Sequence, residues 1–253
     1  MTSTLDQRVL TVVLYGPAGS GKSTLGNTAP GKKLYLDLEG GSRWLPGKKV
    51  QWKTSVPPPE DDGSWETVVV MVRDLADIDR VERLLISGNH AFESVIVDSL
   101  SETQALIKEE RFGGEMTRNK WGELTDRTVG LCRTLRNIAN DDQNPVNVSV
   151  VIATTKTTKN NETGEVTEIA PSVQGSGKEQ LPFLFDLTGY LYVDEVQEIG
   201  QDGFPTGNMV EHRYFYTGRN KMFKTKARVR NFPETLVDPT ISGMLDIAYS
   251  TNN

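Results

Sequence analysis

An α/β fold, with a mostly parallel sheet flanked by helices and antiparallel strands near the C-terminus, is what the sequence predicts, on three observations. Short β-branched runs alternate with helix-spaced apolar positions over roughly the first 155 residues. A glycine-rich turn ending in Gly21-Lys22-Ser23 follows the first of those runs, and beyond Lys156 strand-like segments joined by turns replace the alternation. Alternation of strand and helix marks a parallel sheet, because parallel neighbours need a long crossover between them.

The elements follow in order. Arg8 to Tyr15 (RVLTVVLY) reads as a strand buried on both faces and ends at Gly16. A short helix is expected from near Gly21, then a second buried strand from Lys33 to Leu38, closed by Glu39-Gly40-Gly41. Val56 to Ser64, with three prolines and three acids, must be an irregular surface loop. Thr67 to Val72 resumes as strand, and Leu75, Ile78, Val81, Leu84 and Leu85 fall at helical spacing up to Gly88. Phe92 to Val97 is the next strand. Ser99 with Glu102 has capping-box spacing and starts a helix to about Arg111. Asn119 to Ala139 gives another helix, with Trp121, Leu124, Leu131, Leu135 and Ile138 on one face, so Trp121 is expected in the core. Asn147 to Thr154 is a further buried strand.

Past that point Lys156 to Gln180 is polar, glycine-bearing and without apolar period, and is expected to be a long loop. Leu187 to Val196, Val210 to Thr217 and Met222 to Val229 read as strands. With no internal repeat, residues 1–253 are expected to form one domain: a nucleotide-binding core over 1–155 and a loop plus antiparallel extension over 156–253.

Composition narrows the class. The chain has 253 residues, 36% hydrophobic and 25% charged, the ordinary globular range, so wholesale disorder and fibrous repeats are excluded. A net charge of -6 excludes nucleic-acid binding through global positive charge, and any polyanion must meet a local basic patch. The single cysteine, Cys132, allows neither an internal disulfide nor a thiolate zinc site, fits a reducing compartment, and is expected to be packing. Met1 to Gln7 shows no leader pattern and no apolar run reaches membrane-spanning length, so a cytoplasmic protein without membrane contact is expected. His90 and His212 show no ligand or triad spacing.

The chemistry is concentrated between Gly16 and Thr24. Gly16-Pro17-Ala18-Gly19-Ser20-Gly21-Lys22-Ser23 fits G-x-x-x-x-G-K-S/T, preceded by a buried strand and followed by helix-compatible residues beginning with Thr24. Glycines let successive N–H groups face phosphate oxygens. Lys22 is expected to bridge the β- and γ-phosphates and Ser23 to ligate Mg²⁺. The second metal carboxylate is expected at Asp98, ending an apolar strand at the edge where α/β sheets bind ligands. Ser99, not a glutamate, follows Asp98, so the group that orients water must come from elsewhere. Glu39, after the second strand and before two glycines, is the candidate. Asp37-Leu38-Glu39-Gly40 also fits the D-x-x-G with which GTPases sense the γ-phosphate, but no Asn-Lys-x-Asp reads guanine, which favours ATP. Thr154 and Thr155, ending their strand, are candidate γ-phosphate sensors.

These motifs resemble the RecA-like core of P-loop ATPases, and within it the phage-encoded ATPases of the Sak type that act in single-strand annealing. The likeness is carried by GPAGSGKST (16–24), LYLDLEGG (34–41), VIVDSLSE (95–102), VIATTK (151–156) and GSGKEQLPFLFD (175–186). It implies that Glu39 is the catalytic carboxylate, that the end of strand 148–154 senses the γ-phosphate, and that the protein self-assembles as a ring or filament on single-stranded DNA in recombination. A single-stranded DNA-binding protein is a further partner in that setting. Where RecA has Gln at the sensing position, and relatives often His, this chain has Thr154-Thr155.

From Arg213 to Arg230 there are seven Lys or Arg and no acid. Strand alternation puts Lys224, Lys226, Arg228 and Arg230 on one face. Lys226-Ala227-Arg228 looks like the Lys-x-Arg that hexameric RecA-type helicases insert into a neighbour's ATP site; backbone phosphate contact and a solvated edge strand are the alternatives. Phe112 to Gly122, with Arg118 and Lys120, and Lys156 to Lys178, with Lys156, Lys159 and Lys178, are candidate DNA-facing loops, and Lys224 joins them. A small-molecule P-loop kinase and a nucleotide-dependent scaffold are the competing classes.

Overall fold

The computed structural model describes residues 8–113, 115–200 and 204–250; the segment 1–7, read above for a leader, and position 114 within the first candidate DNA loop lie outside them. Strand β1 (Leu10–Tyr15) is buried along its whole length. It opens a sheet of ten strands among the described residues. Between the motif loop and the second strand lies the six-residue α1 (Lys22–Asn27). The order across the sheet is β12-β10-β9-β1-β6-β5-β2-β4-β3, with β11 on β9. From β9 (Leu187–Ile199) through β1, β6 (Val148–Ala153), β5 (Ser94–Asp98), β2 (Lys33–Asp37), β4 (Thr67–Met71) and β3 (Lys49–Gln51) every pairing is parallel.

The antiparallel part is β10 (Pro205–Tyr216) and β11 (Lys226–Ala227) on β9, with β12 (Thr235–Val237) on β10. It therefore begins one strand later than the change in sequence character: β9 belongs to the parallel sheet. Strand β3 is too short to have shown an apolar period, and the proline-rich stretch 56–64 is irregular, as expected.

Alternation along the strands sends side chains into two cores. Val13, Val95, Val97 and Val151 face α2 (Leu75–Ser87), α3 (Leu100–Phe112), α4 (Arg118–Ala139) and α5 (Gly177–Leu184). Val12, Leu14, Ile96, Val150 and Ile152 face α1 and α6 (Ile241–Ser250). Burial on both faces explains why these strands read as near-continuous apolar runs. Asp74 caps α2 through the amide of Asp77, which then stops at left-handed Gly88; Ser99 caps α3 through the amide of Glu102, as the capping-box spacing predicted. Trp121 is partly buried against the first core.

Two expectations fail. Lys156 to Gln180 is not one long loop: β7 (Thr155–Lys159) and β8 (Val166–Pro171) form a separate antiparallel hairpin, and α5 follows. The hairpin escapes a hydrophobic reading because Thr155, Thr157, Thr158 and Thr167 supply β-branching without apolarity. Met222 to Val229 is not a strand either, since Lys226 and Ala227 alone pair with β9, and Phe223 makes one isolated bridge to Ile169. No helix among the described residues is long and apolar enough to cross a membrane.

Candidate functional site

The parallel register brings the motif residues to one edge. Asp37 pairs with Asp98, Asp98 with Ile152, and Ala153 with Tyr15, the residue before Gly16. Carboxyl ends of parallel strands are where open α/β sheets bind ligands. Gly19 and Gly21 take φ of 80° and 85°, left-handed values that turn the chain from β1 into α1, whose N-cap is Gly21. Gly16 lacks a side chain for a different reason: a Cβ there would stand 2.1 Å from the carbonyl oxygen of Leu191. Lys22 Nζ donates to Pro17 O at 2.7 Å, curling over the loop, and Ser20 Oγ donates to the same oxygen at 3.0 Å. Pro17, Ala18, Gly19 and Thr24 are exposed.

Ser23 Oγ donates to Asp98 Oδ2 at 2.6 Å, so the two expected metal ligands meet. Tyr35 OH donates to that same carboxylate oxygen at 2.5 Å. Two oxygen donors in contact, one a carboxylate, make a donor set of the hard type that suits Mg²⁺. Asp98 is buried, and burial raises its pKa above the usual carboxylate range; the Ser23 and Tyr35 hydrogen bonds oppose this, while Glu39 and Asp37 add to it. Burial lowers the Lys22 ammonium from its ordinary value against the pull of Asp98 and Glu39. Burial also raises the Tyr35 phenol, with Asp98 adding to it, and keeps it a donor.

Glu39 is exposed at the same edge. Its Oε1 accepts from Ser99 Oγ at 2.5 Å, while Ser99 Oγ accepts from the Glu102 amide at 3.3 Å, so one hydroxyl both caps α3 and holds Glu39 beside the Asp98 strand. Asp37 has a different task from the γ-phosphate sensing its D-x-x-G spacing suggests. Its Oδ1 accepts the amides of Glu39, Gly40 and Gly41 at 3.1, 2.6 and 3.3 Å, and its Oδ2 that of Ser42 at 2.9 Å. The buried carboxylate is thus spent on the loop that presents Glu39.

Thr154 is exposed and tied to the first turn of α3: its N–H and Oγ1 both donate to Ser101 Oγ, at 3.1 and 3.0 Å. Ser101 lies two residues along the chain from the Ser99 that holds Glu39. The remaining candidates lie apart from this edge cluster. Lys178 and Lys224 share Glu168, at 2.5 and 3.1 Å, and Lys224 also reaches Glu179 at 3.0 Å. Lys226 stands 4.5 Å over the Phe183 ring, and Arg228 donates to Phe183 O. Because only Lys226 and Ala227 are in a strand, the alternation expected to put Lys224, Lys226, Arg228 and Arg230 on one face does not form; Lys224, Lys226 and Arg228 instead meet α5 of the same chain. Lys156 and Lys159 are exposed on the hairpin that leaves Thr154. The expected loop Phe112 to Gly122 is shorter than predicted, because α4 already begins at Arg118 and takes in Lys120; Arg118 is exposed there, and Lys120 donates to Glu115 O at 3.2 Å.

Sequence reasoning missed Tyr35, and it missed the role of Asp37 as acceptor for the loop amides. A tyrosine inside a buried strand is a readable signal, since its hydroxyl needs a partner; Asp37 carries its signal in the two glycines that follow Glu39, whose amides it collects. Among the curated proteins none matches the chain. The sequence model of the family described as AAA domain matches residues 8–229, which takes in the motif loop, Glu39, Asp98, Thr154 and nine of the ten strands of the sheet. With that match covering most of its length, the chain belongs to the AAA domain family and is an ATPase-type P-loop protein.

Proposed function

We propose that the chain is a Mg²⁺-dependent ATPase that binds single-stranded DNA and promotes annealing or recombination as an oligomer, in the manner of the phage-encoded ATPases it resembles. Gly16 to Thr24 hold the phosphates through backbone amides, and Lys22 swings from Pro17 O to the β- and γ-phosphate oxygens. Ser23 and Asp98 would hold a magnesium ion, whose chemistry there would be to offset negative charge on the phosphates. Glu39, fixed by Ser99, orients the attacking water and takes up its proton, and Lys226 or Arg228 completes the site of a neighbouring protomer.

The observation that carries the reading is the chain connection at Thr154. The turn that hydrogen-bonds Ser101, three residues from Asp98, opens directly into β7–β8 with Lys156 and Lys159 exposed on it. A change in the phosphate site reaches that hairpin through a single strand end, which supports coupling of hydrolysis to a polyanion.

The test is ATPase rate against protein concentration, with and without single-stranded DNA, at two salt concentrations. Turnover per protomer rises with concentration and with DNA, and the DNA effect shrinks as salt rises. A rate indifferent to DNA, or one raised by a small phosphoryl acceptor, overturns the DNA reading in favour of a kinase; negligible turnover under every condition favours the scaffold.

A further inference from the structure

The sheet order gives direction to anything lying across the loop 16–23. Ser23, Asp98 and Glu39 sit on the β6–β5–β2 side of β1, while β9 and β10 flank β1 on the other. Phosphates gripped by the loop with their terminal group towards Glu39 leave the rest of the molecule on the β9–β10 side.

There Arg213 of β10 covers Gly21. A Cβ at Gly21 would stand 2.6 Å from Arg213 Nε and 3.1 Å from its Cδ, so the loop needs glycine under this side chain as well as for its φ. Arg213 Nε is buried and has no hydrogen-bond partner. A buried donor left without a partner is unfavourable, and a ligand acceptor would remove that cost. Its terminal nitrogen is 3.7 Å from Glu211, on a half-exposed side chain. The backbone beneath is held firmly: Arg213 N donates to Asp238 Oδ1 at 2.9 Å and Asp238 N donates to Arg213 O at 2.7 Å. Ile241 N donates to Thr28 Oγ1 at 2.8 Å, which ties the start of α6 to the end of α1. Between these ties lies a cavity of about 220 Å³, lined among others by Thr24, Thr28, Leu191, Arg213, Asp238 and Pro239. Pockets for whole drug-sized ligands run to about 300–1,000 Å³, so this one has room for part of a nucleotide.

We propose that this cavity receives the ribose and base of the nucleotide, with Arg213 as a binding residue contributed in cis. It rests on the reading of loop 16–23 as a nucleotide site. The guanidinium lays its plane against the base ring, the Nε–H donates to an oxygen on the ribose side, and Leu191 and Pro239 supply apolar surface for a flat ring.

Calorimetric titration of Mg-ADP and of inorganic tripolyphosphate, which lacks ribose and base, separates the two readings. Arg213→Ala weakens Mg-ADP by about tenfold or more, of the order expected for losing a cation–π contact together with a hydrogen bond. Tripolyphosphate affinity stays within about twofold, which also reports an intact loop in the variant. Arg213→Lys shows the same loss, because an ammonium has no plane. If both ligands bind the unaltered protein and Arg213→Ala weakens both alike or neither, or if lysine restores ADP affinity, the nucleoside assignment is overturned while the loop reading stands. If neither ligand binds the unaltered protein, the loop reading itself falls.

Discussion

Ser99 Oγ donates to Glu39 Oε1 at 2.5 Å while accepting the Glu102 amide, so the cap of α3 and the exposed carboxylate after β2 are one hydrogen-bonded unit. A glutamate on a glycine-flanked loop would otherwise sample many rotamers, and orienting water requires that it does not. The residue directly after Asp98 is thus a serine whose hydroxyl holds a neighbouring carboxylate in place.

Glu39→Gln is expected to lower kcat by about 10²–10⁴, the range of a positioned general base, and to leave Mg-ATP affinity within a few fold. Ser99→Ala removes one charge-assisted hydrogen bond and one cap, so kcat falls by about tenfold with KM little changed and stability drops by about 1 kcal/mol. Steady-state kinetics beside thermal melting separates the two effects. A Glu39→Gln enzyme that retains full turnover removes Glu39 from the reaction.

Asp37 makes a second expectation. Asp37→Ala leaves the amides of Glu39, Gly40, Gly41 and Ser42 without their shared acceptor, and each buried amide left unpaired costs about 1–3 kcal/mol where water cannot reach it. Loss of hydrolysis is expected to accompany loss of stability, whereas Glu39→Gln loses hydrolysis alone. A stable, active Asp37→Ala protein contradicts the scaffold role.

How far the site could be read from sequence follows from the range of the forces involved. The phosphate loop, the Asp98 strand end and the Ser99 cap were legible because each is written in fewer than ten consecutive residues, with chemistry fixed by local backbone shape. The β7–β8 hairpin was not, since its threonines present neither apolar alternation nor a turn dipeptide, only Gly164 in left-handed conformation near its tip. Nor was the placement of Arg213 on Gly21, which depends on β9 and β10 returning to the side of β1 across most of the chain. Tyr35 lies between these extremes: its strand was legible, and its hydroxyl's partner was fixed only once β2 and β5 paired in register.

The direction of the Asp98 shift predicts a pH dependence. Because its folded pKa is raised, protons compete with magnesium at a pH above the ordinary carboxylate range, and Mg-nucleotide affinity falls on acidification sooner than for an exposed aspartate. The sign for stability is the reverse. Between the unfolded and folded pKa the native state binds more protons, so the ionising carboxylate costs stability as pH rises through that window. Asp98→Asn is therefore expected to melt higher than the unaltered protein at neutral pH without nucleotide, while losing Mg-nucleotide binding. A lower melting temperature at neutral pH is the outcome that contradicts the shift.

Cys132 is fully buried, and burial pushes its thiol up to about 12. At neutral pH the thiolate that alkylating reagents attack is almost absent and out of reach. Iodoacetamide should leave the native protein unmodified and react stoichiometrically once denaturant unfolds it, so modification rate against denaturant reports opening of the core beneath α4. Rapid labelling of the native protein would mean that the packing of α4 on the sheet opens readily.

Lys226 and Arg228 pose the last test, because in one chain they rest on Phe183 and do not reach the edge that holds Asp98. Acting on a neighbour's nucleotide, they belong to a site whose carboxylate is on another protomer. A Glu39→Gln protein then has sound fingers and a failed water-orienting group, and a protein with Lys226→Ala and Arg228→Ala has the opposite defect. Each alone hydrolyses slowly, and a mixture recovers activity that neither shows, since some mixed interfaces join an intact Glu39 to an intact finger. The arginine finger of characterised GTPases is worth about 10³–10⁵ in rate, so even a minority of restored interfaces is measurable. If the mixture is no faster than the sum of its parts while both proteins assemble, the basic pair acts within its own chain or on DNA alone. DNA affinity of the double variant then tells which, falling if the pair contacts the phosphate backbone and unchanged if its task is to hold the end of α5.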